Sequence, residues 1–294
     1  MKDLQQYLHS RAQLVERALE QYLPADDIVP EILHRSMRYS TLGGGKRLRG
    51  ILALAAAEAA QGSGEAALPL AAALEMIHAF SLIHDDLPCM DDDDWRRGKP
   101  SNHKMFGEAI ALLAGDALLT RAFYLLTCLS LPDDAAVVNI VAEVAQAVGS
   151  EGLIGGQVVD LQSEGKNVDR ATLEYIHRHK TGDLITVALR TGAMVGGAGE
   201  ALLASLTIYG REMGLLFQIT DDILDVEGDA DKLGKPVGSD ASQGKATYPA
   251  LFGMERAKEA ARGAAEGAVA ALEGLGEDAW PLRELAGYIL HRDR

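Results

Sequence analysis

Six aspartates, Asp85, Asp86, Asp91, Asp92, Asp93 and Asp94, fall within ten positions of the stretch LIHDDLPCMDDDDWRRGKPS, and Arg96 and Arg97 follow directly. Like charges this close oppose folding unless something neutralises them. Either the run is a solvated acidic face or it holds a cation. A second acidic group stands in QITDDILDV. There Asp221 and Asp225 are four residues apart, so on a helix they share a face, with Asp222 beside them and Ile219, Ile223, Leu224 and Val226 around them. Carboxylates placed among apolar residues serve folding poorly. Carboxylate oxygen is also the ligand type Mg2+ takes, usually one or two per ion, with water and substrate phosphate completing the shell. Neither cluster has the spacing of a calcium-binding EF-hand loop. Asp92, Asp93 and Asp94 read as the part of the run closest to plain solvated charge.

The first cluster cannot be explained by helical stacking alone. Asp85 and Asp86 close the apolar stretch EMIHAFSLIHDD, Pro88 disfavours its continuation, and Asp91 lies six residues beyond Asp85. A kinked helix end or a loop must bring Asp91 round. His78, Ser81 and Asp85 fall on one helical stripe. Basic residues stand elsewhere in the chain. LGGGKRLRG (42–50) is not a P-loop, because Ser40 occupies the first glycine position and Arg47 follows the lysine. It still sets backbone amides beside Lys46, Arg47 and Arg49, either as a nest for phosphate oxygens or as a basic helix cap. Lys180, Lys235 and Lys245 add cations in loops or at helix ends. VGGAGE (195–200) lacks the third glycine of a dinucleotide fingerprint. With no Ser-His-Asp order and no H-E-x-x-H, the inventory points to diphosphate chemistry assisted by divalent cations.

The elements that carry these residues read as helices almost throughout. Leu4, Tyr7, Leu8, Leu14, Val15, Ala18, Leu19, Tyr22 and Leu23 recur at helical spacing, and Ala- and Leu-rich stretches follow at 51–60, 70–84, 108–126, 135–148, 173–196, 202–226 and 254–275. No alternating strand run stands out. The pattern predicts an all-α chain, a single domain over 1–294 with ten or more helices. The composition is 48% hydrophobic with a formal net charge of -15, which argues against nucleic acid and against an anionic membrane surface as partners. The longest apolar runs are interrupted short of about 18 residues, so no membrane insertion is expected. Two cysteines and a charged N-terminal stretch fit a cytoplasmic setting.

Taken together, GGKRLR (44–49), LEMIHAFSLIHDDLPCMDDDDWRRGKPSNH (74–103), GDALL (115–119), GGQVVDL (155–161), HKTGDLI (179–185), FQITDDILD (217–225), LGKPVGSD (233–240) and GKATYPAL (244–251) resemble the trans-isoprenyl diphosphate synthases, most closely the bacterial farnesyl diphosphate synthases. The likeness runs over nearly the whole chain. It implies helices around a deep central cavity, a homodimer, and three Mg2+ held by Asp85, Asp86, Asp91, Asp221, Asp222 and Asp225 on the allylic diphosphate. By the same resemblance Arg96, Lys180 and Lys235 hold that diphosphate, with Lys245 a further substrate-binding position. Lys46, Arg49, His78 and Arg97 would hold isopentenyl diphosphate. Thr181, Gln218 and the Lys180 carbonyl would face the developing cation, so Lys180, Thr181 and Gln218 are the candidate catalytic residues. In the family the departing diphosphate takes the proton, which fits a chain without a catalytic dyad. One departure from the pattern is Gly50, where the family usually has proline, and it is expected to loosen that loop.

Phe80 and Ser81 stand five and four residues before Asp85, where the family places its cavity floor. A large ring at 80 and a small side chain at 81 predict a fifteen-carbon product, farnesyl diphosphate, with geranyl and geranylgeranyl diphosphate as alternatives. From other classes, a terpene cyclase and a non-catalytic helical partner subunit share parts of the pattern. A cyclase has no need for the Lys46/Arg49/His78 set, and a partner subunit tends to lose the aspartate motifs that are intact here.

Overall fold

The computed structural model describes residues 3–166, 168–228 and 245–292. Among these residues the chain is all-α, with more than ten helices. Two compact units divide it: Met1–Leu54 with Ser63–Val141, and Ala55–Gly62 with Ala142–Arg294.

In the first unit, α1 (Leu4–Tyr22) is capped by Asp3, whose carboxylate accepts from the amides of Gln5 and Gln6. It is followed by α2 (Glu31–Thr41) and the start of α3 (Leu48–Ala59). The central element is α4 (Leu68–Asp85), apolar nearly all round and buried along Leu70, Leu74 and Ile77. It packs on α6 (Glu108–Thr127). Gly115 of GDALL allows this, because a side chain there would collide with the His84 ring, whose Nε2 lies 3.0 Å from the Leu112 carbonyl. Between them runs α5 (Asn102–Phe106). A two-residue hairpin, Trp95–Arg96 against Lys99–Pro100, departs from the strand-free expectation. It turns on Arg97 (φ 53) and Gly98 (φ 73), both left-handed as a tight hairpin turn requires.

In the second unit the longest helix is α11 (Glu200–Glu227), packed against α10 (Asp183–Val195) and against the helix Met254–Ala271. Tyr209 is fully buried and donates its hydroxyl to the Leu282 carbonyl at 2.8 Å. The stretch 173–196 is not one α-helix. A π-helical segment, His177–Gly182, separates α9 (Arg170–Ile176) from α10. Gly156 of α8 (Leu153–Ser163) lies so close to it that a Cβ would stand 2.3 Å from the Lys180 amide nitrogen.

The interrupted apolar runs understate helical hydropathy. Gly64–Asp85, Glu108–Thr127 and Asp134–Ser163 are each long and apolar enough to cross a membrane by length and composition. In Gly64–Asp85, 67% of that apolar window is buried within the protein. Alanine explains the difference, since small residues raise mean hydropathy while serving close helix packing.

Candidate active site

The first acidic cluster is built on the C-terminal end of α4. The Asp91 amide donates to the Asp85 carbonyl at 2.9 Å, and the Met90 and Asp92 amides both return to the Leu87 carbonyl, at 2.8 and 3.2 Å. This turn solves the spacing problem, since it folds Asp91 back onto the helix end. Asp86 faces inward. It is 2% exposed and is gripped by Arg96, whose Nε lies 2.8 Å from both carboxylate oxygens. Burial raises the Asp86 pKa from its ordinary value, and the Arg96 hydrogen bonds oppose that rise. The hairpin holds Arg96 in this position.

The basic group lies in the same unit. The loop before α3 runs through Gly44 (φ 98), Gly45 (φ 133) and Arg47 (φ 53). Arg97 donates to the Gly44 carbonyl, and its guanidinium covers Gly45, where a Cβ would meet it at 3.0 Å. Glycine is required there by both φ and contact. Lys46 is exposed, whereas Arg47 turns inward to Glu16 at 2.7 Å and to the buried Glu75 at 3.9 Å. Arg47 is therefore a structural cation rather than part of a phosphate nest. Arg49 Nη1 lies 3.5 Å from His78 Nε2. Burial first, then the charges of Arg49, Arg97, Arg96 and Arg47, hold the His78 pKa well below its ordinary value, so its imidazole is neutral at pH 7. Burial followed by Arg47 and Arg96 also depresses Arg97. Cations crowded this way stabilise an anion placed among them.

Gly50 corrects the expectation of a loosened loop. It sits in the first turn of α3, and its amide donates to Glu75 Oε1 at 2.9 Å. A Cβ there would stand 2.9 Å from both Val15 methyls. Proline has no N–H to give Glu75, so glycine tightens this position.

The second cluster lies near the C-terminal end of α11. Asp222 and Asp225 are buried and Asp221 is partly exposed. Asp222 Oδ2 accepts the Tyr248 amide at 2.8 Å and lies 3.6 Å from His177 Nε2. Burial lowers the His177 pKa to about 4, against the pull of Asp160. Asp221 is taken by Arg292, which also donates to the Phe217 carbonyl at 3.2 Å and covers the Phe217 ring at 4.2 Å. In the π-segment, Lys180 Nζ is bound to Asp160 at 2.6 Å, and the Thr181 hydroxyl donates to Gln218 Oε1 at 2.7 Å. Lys245 is half-buried just before the helix Tyr248–Phe252. Lys235 lies outside the described residues.

Sequence reasoning passed over Asp160 and Glu75. Asp160 stands in GGQVVDL, so its motif was visible while its partner was not. Phe80 is buried, its ring edge-on to His84 at 4.9 Å between centroids, and Ser81 donates to the His78 carbonyl at 3.0 Å.

The donor chemistry of both clusters suits a hard divalent ion, being carboxylate oxygen. Asp221 is already paired with the Arg292 guanidinium.

The polyprenyl synthetase family model matches residues 30–273. The chain is 48% identical to the farnesyl diphosphate synthase of Geobacillus stearothermophilus over 87% of this chain and 86% of that protein. It is 46% identical to a heterodimeric geranylgeranyl pyrophosphate synthase large subunit of Arabidopsis thaliana, over 99% and 80% of the two chains. Among solved structures, an FPP/GFPP synthase from Zymomonas mobilis aligns with a TM-score of 0.87 at 37% identity over 98% of each chain. A family model matching most of the chain, relatives close to half identical over most of its length and the shared helical fold show that the chain belongs to the polyprenyl synthetase family.

Proposed function

We propose that this prenyltransferase condenses isopentenyl diphosphate with dimethylallyl and then geranyl diphosphate, giving farnesyl diphosphate in a Mg2+-dependent reaction. The observation that carries the reading is the first unit's gathering of Arg49, Arg96, Arg97 and a neutral His78 beside the Asp85–Asp91 turn. That set binds anions and a divalent ion without offering a nucleophile, as ionisation chemistry requires.

Asp85, Asp86 and Asp91 in one cluster, and Asp221, Asp222 and Asp225 in the other, would hold Mg2+. The ion supplies neutralisation of the charge that grows on the departing diphosphate, an effect worth several kcal/mol. Arg96 in the first unit and Lys180 in the second would each pair with diphosphate oxygens. Lys46, Arg49, His78 and Arg97 orient isopentenyl diphosphate; a neutral imidazole donates one hydrogen bond where another guanidinium would add repulsion. The Thr181 hydroxyl, committed as donor to Gln218, keeps its lone pairs for the allylic cation. The C–O bond to diphosphate breaks, the isopentenyl double bond forms the new C–C bond, and the proton lost passes to the departed diphosphate.

A buried ring at Phe80 followed by small Ser81 favours the fifteen-carbon product. The relatives include geranylgeranyl and geranylfarnesyl diphosphate synthases, which makes longer chains the competing reading. A second copy of the chain is the partner that suits the apolar Leu112, Leu113 and Tyr124, exposed at 46%, 52% and 57% on α6. The exposed free Cys89 and Cys128 support a reducing, cytoplasmic setting. Mass analysis after incubation with dimethylallyl diphosphate, isopentenyl diphosphate and Mg2+, with a chelator control, tests the reading. A fifteen-carbon diphosphate that vanishes with chelator is expected. A longer product keeps the chemistry and removes Phe80 as floor. No condensation by folded protein overturns the assignment.

A further inference from the structure

Asp92 and Asp94 entered as solvated charge, yet they do not stand alone. One ligand atom each from Asp92, Asp94 and His103 lie within 4.8 Å of one another. His103 is 5% exposed, and its Nε2 is buried with no hydrogen-bond partner. Its Nδ1 is 3.1 Å from Ser101 Oγ. With Nδ1–H donating to that hydroxyl, the Nε2 lone pair remains for a ligand, the arrangement that metal-binding histidines use. A buried ring nitrogen left without a partner is costly, so the position calls for an occupant.

The surroundings hold the three side chains together. Asp92 adopts φ 52, uncommon for a residue with a side chain. The Asp94 carbonyl accepts the Ser101 amide at 2.9 Å, tying the start of the hairpin to its end. Asn102 anchors the next turn through the Ser36 carbonyl at 3.0 Å and Ser40 Oγ at 2.7 Å. Lys104 Nζ, 2.7 Å from Asp94 Oδ1, is the resident positive charge and would yield or share that carboxylate.

We propose that Asp92, Asp94 and His103 form a structural site for a borderline divalent transition ion, Zn2+ foremost, distinct from the Asp85/Asp86/Asp91 and Asp221/Asp222/Asp225 sets assigned to Mg2+. One imidazole and two carboxylates leave a fourth position for water and favour Zn2+ over Mg2+, which prefers an all-oxygen octahedral shell. Ligand atoms at about 2.0–2.2 Å from the metal would draw the exposed aspartates slightly inward. The ion would fasten the segment 92–103, which carries Arg96 to Asp86 and Arg97 to the glycine loop. The site stands apart from the diphosphate reading and does not require it.

The test is calorimetric titration of the chelator-treated full chain with Zn2+ in a large excess of Mg2+, with thermal midpoints read in parallel. One binding event that Mg2+ does not suppress, together with a rise in the midpoint, is the expected result. His103→Gln and Asp94→Asn each lose that event, whereas Asp221→Asn with Asp225→Asn retains it. Should His103→Gln fail to fold, Asp92→Asn joins Asp94→Asn, both positions being exposed. Absence of Mg2+-resistant binding overturns the proposal. So does binding that survives the Asp92, Asp94 and His103 variants, or that disappears with Asp221 and Asp225 or with a cysteine variant.

Discussion

The guanidinium of Arg292 lies on the carboxylate of Asp221, 71 residues away in sequence, with the arginine side chain 5% exposed and the aspartate 47% exposed. The same arginine is held from behind by the Phe217 ring and carbonyl. A residue from the chain's last turn thus neutralises one of the carboxylates assigned to Mg2+.

If Asp221 takes the ion as proposed, the ion and the arginine would compete for it. Arg292→Gln should therefore strengthen metal binding at the second cluster by a few-fold, read by Mn2+ titration followed by electron paramagnetic resonance in the absence of substrate. Unchanged or weaker binding would show that Arg292 is no competitor. Asp85→Ala and Asp221→Ala should each lower turnover by orders of magnitude while helicity stays, as measured by product formation and circular dichroism. Turnover near wild type in either variant would remove that residue from the metal set.

Gly50→Pro should destabilise the protein by roughly 2–4 kcal/mol, combining a buried carboxylate that loses its donor with overpacking against Val15. Gly50→Ala keeps the amide and should cost less, since only the contact with Val15 remains. Urea unfolding of the two variants separates the terms. A Gly50→Pro variant as stable as the parent would mean that the Glu75 hydrogen bond contributes nothing.

Phe80→Ala should lengthen the product beyond fifteen carbons, as determined by mass. The ring fills a buried place against His84, so a loss of stability of about 3–5 kcal/mol is expected as well. An unchanged product distribution from folded variant would place the floor elsewhere.

Acid should weaken the fold through His78. Its folded pKa lies well below the ordinary 6.5, so the unfolded chain binds the proton first as pH falls. Nothing is lost above that value, and stability declines progressively beneath it until the folded imidazole also protonates. His78→Gln should make the fall in urea midpoint between about pH 6.5 and 5 shallower. An identical slope in variant and parent would assign the acid sensitivity to other groups.

The all-α character, most helix positions, the two aspartate clusters and the family were legible in the sequence. Helical periodicity and motif spacing are local properties, carried by residues three or four apart or by short fixed strings. The partners of the charged groups were not legible, because they depend on packing between distant elements. Nothing in LGGGKRLRG distinguishes inward Arg47 from outward Lys46; a left-handed φ at Arg47 and the buried Glu75 decide it. The fold-back of Asp91 depends on a turn around Leu87 rather than on helical phase. Lys180 meets Asp160 because Gly156 lets a helix approach a π-segment that no apolar pattern announces. What the sequence determined by itself was which residues carry charge and which helices present them. Which charges neutralise one another, and which are left for a substrate or an ion, was decided only by tertiary structure, since burial sets the cost of an unpaired charge and sequence distance does not.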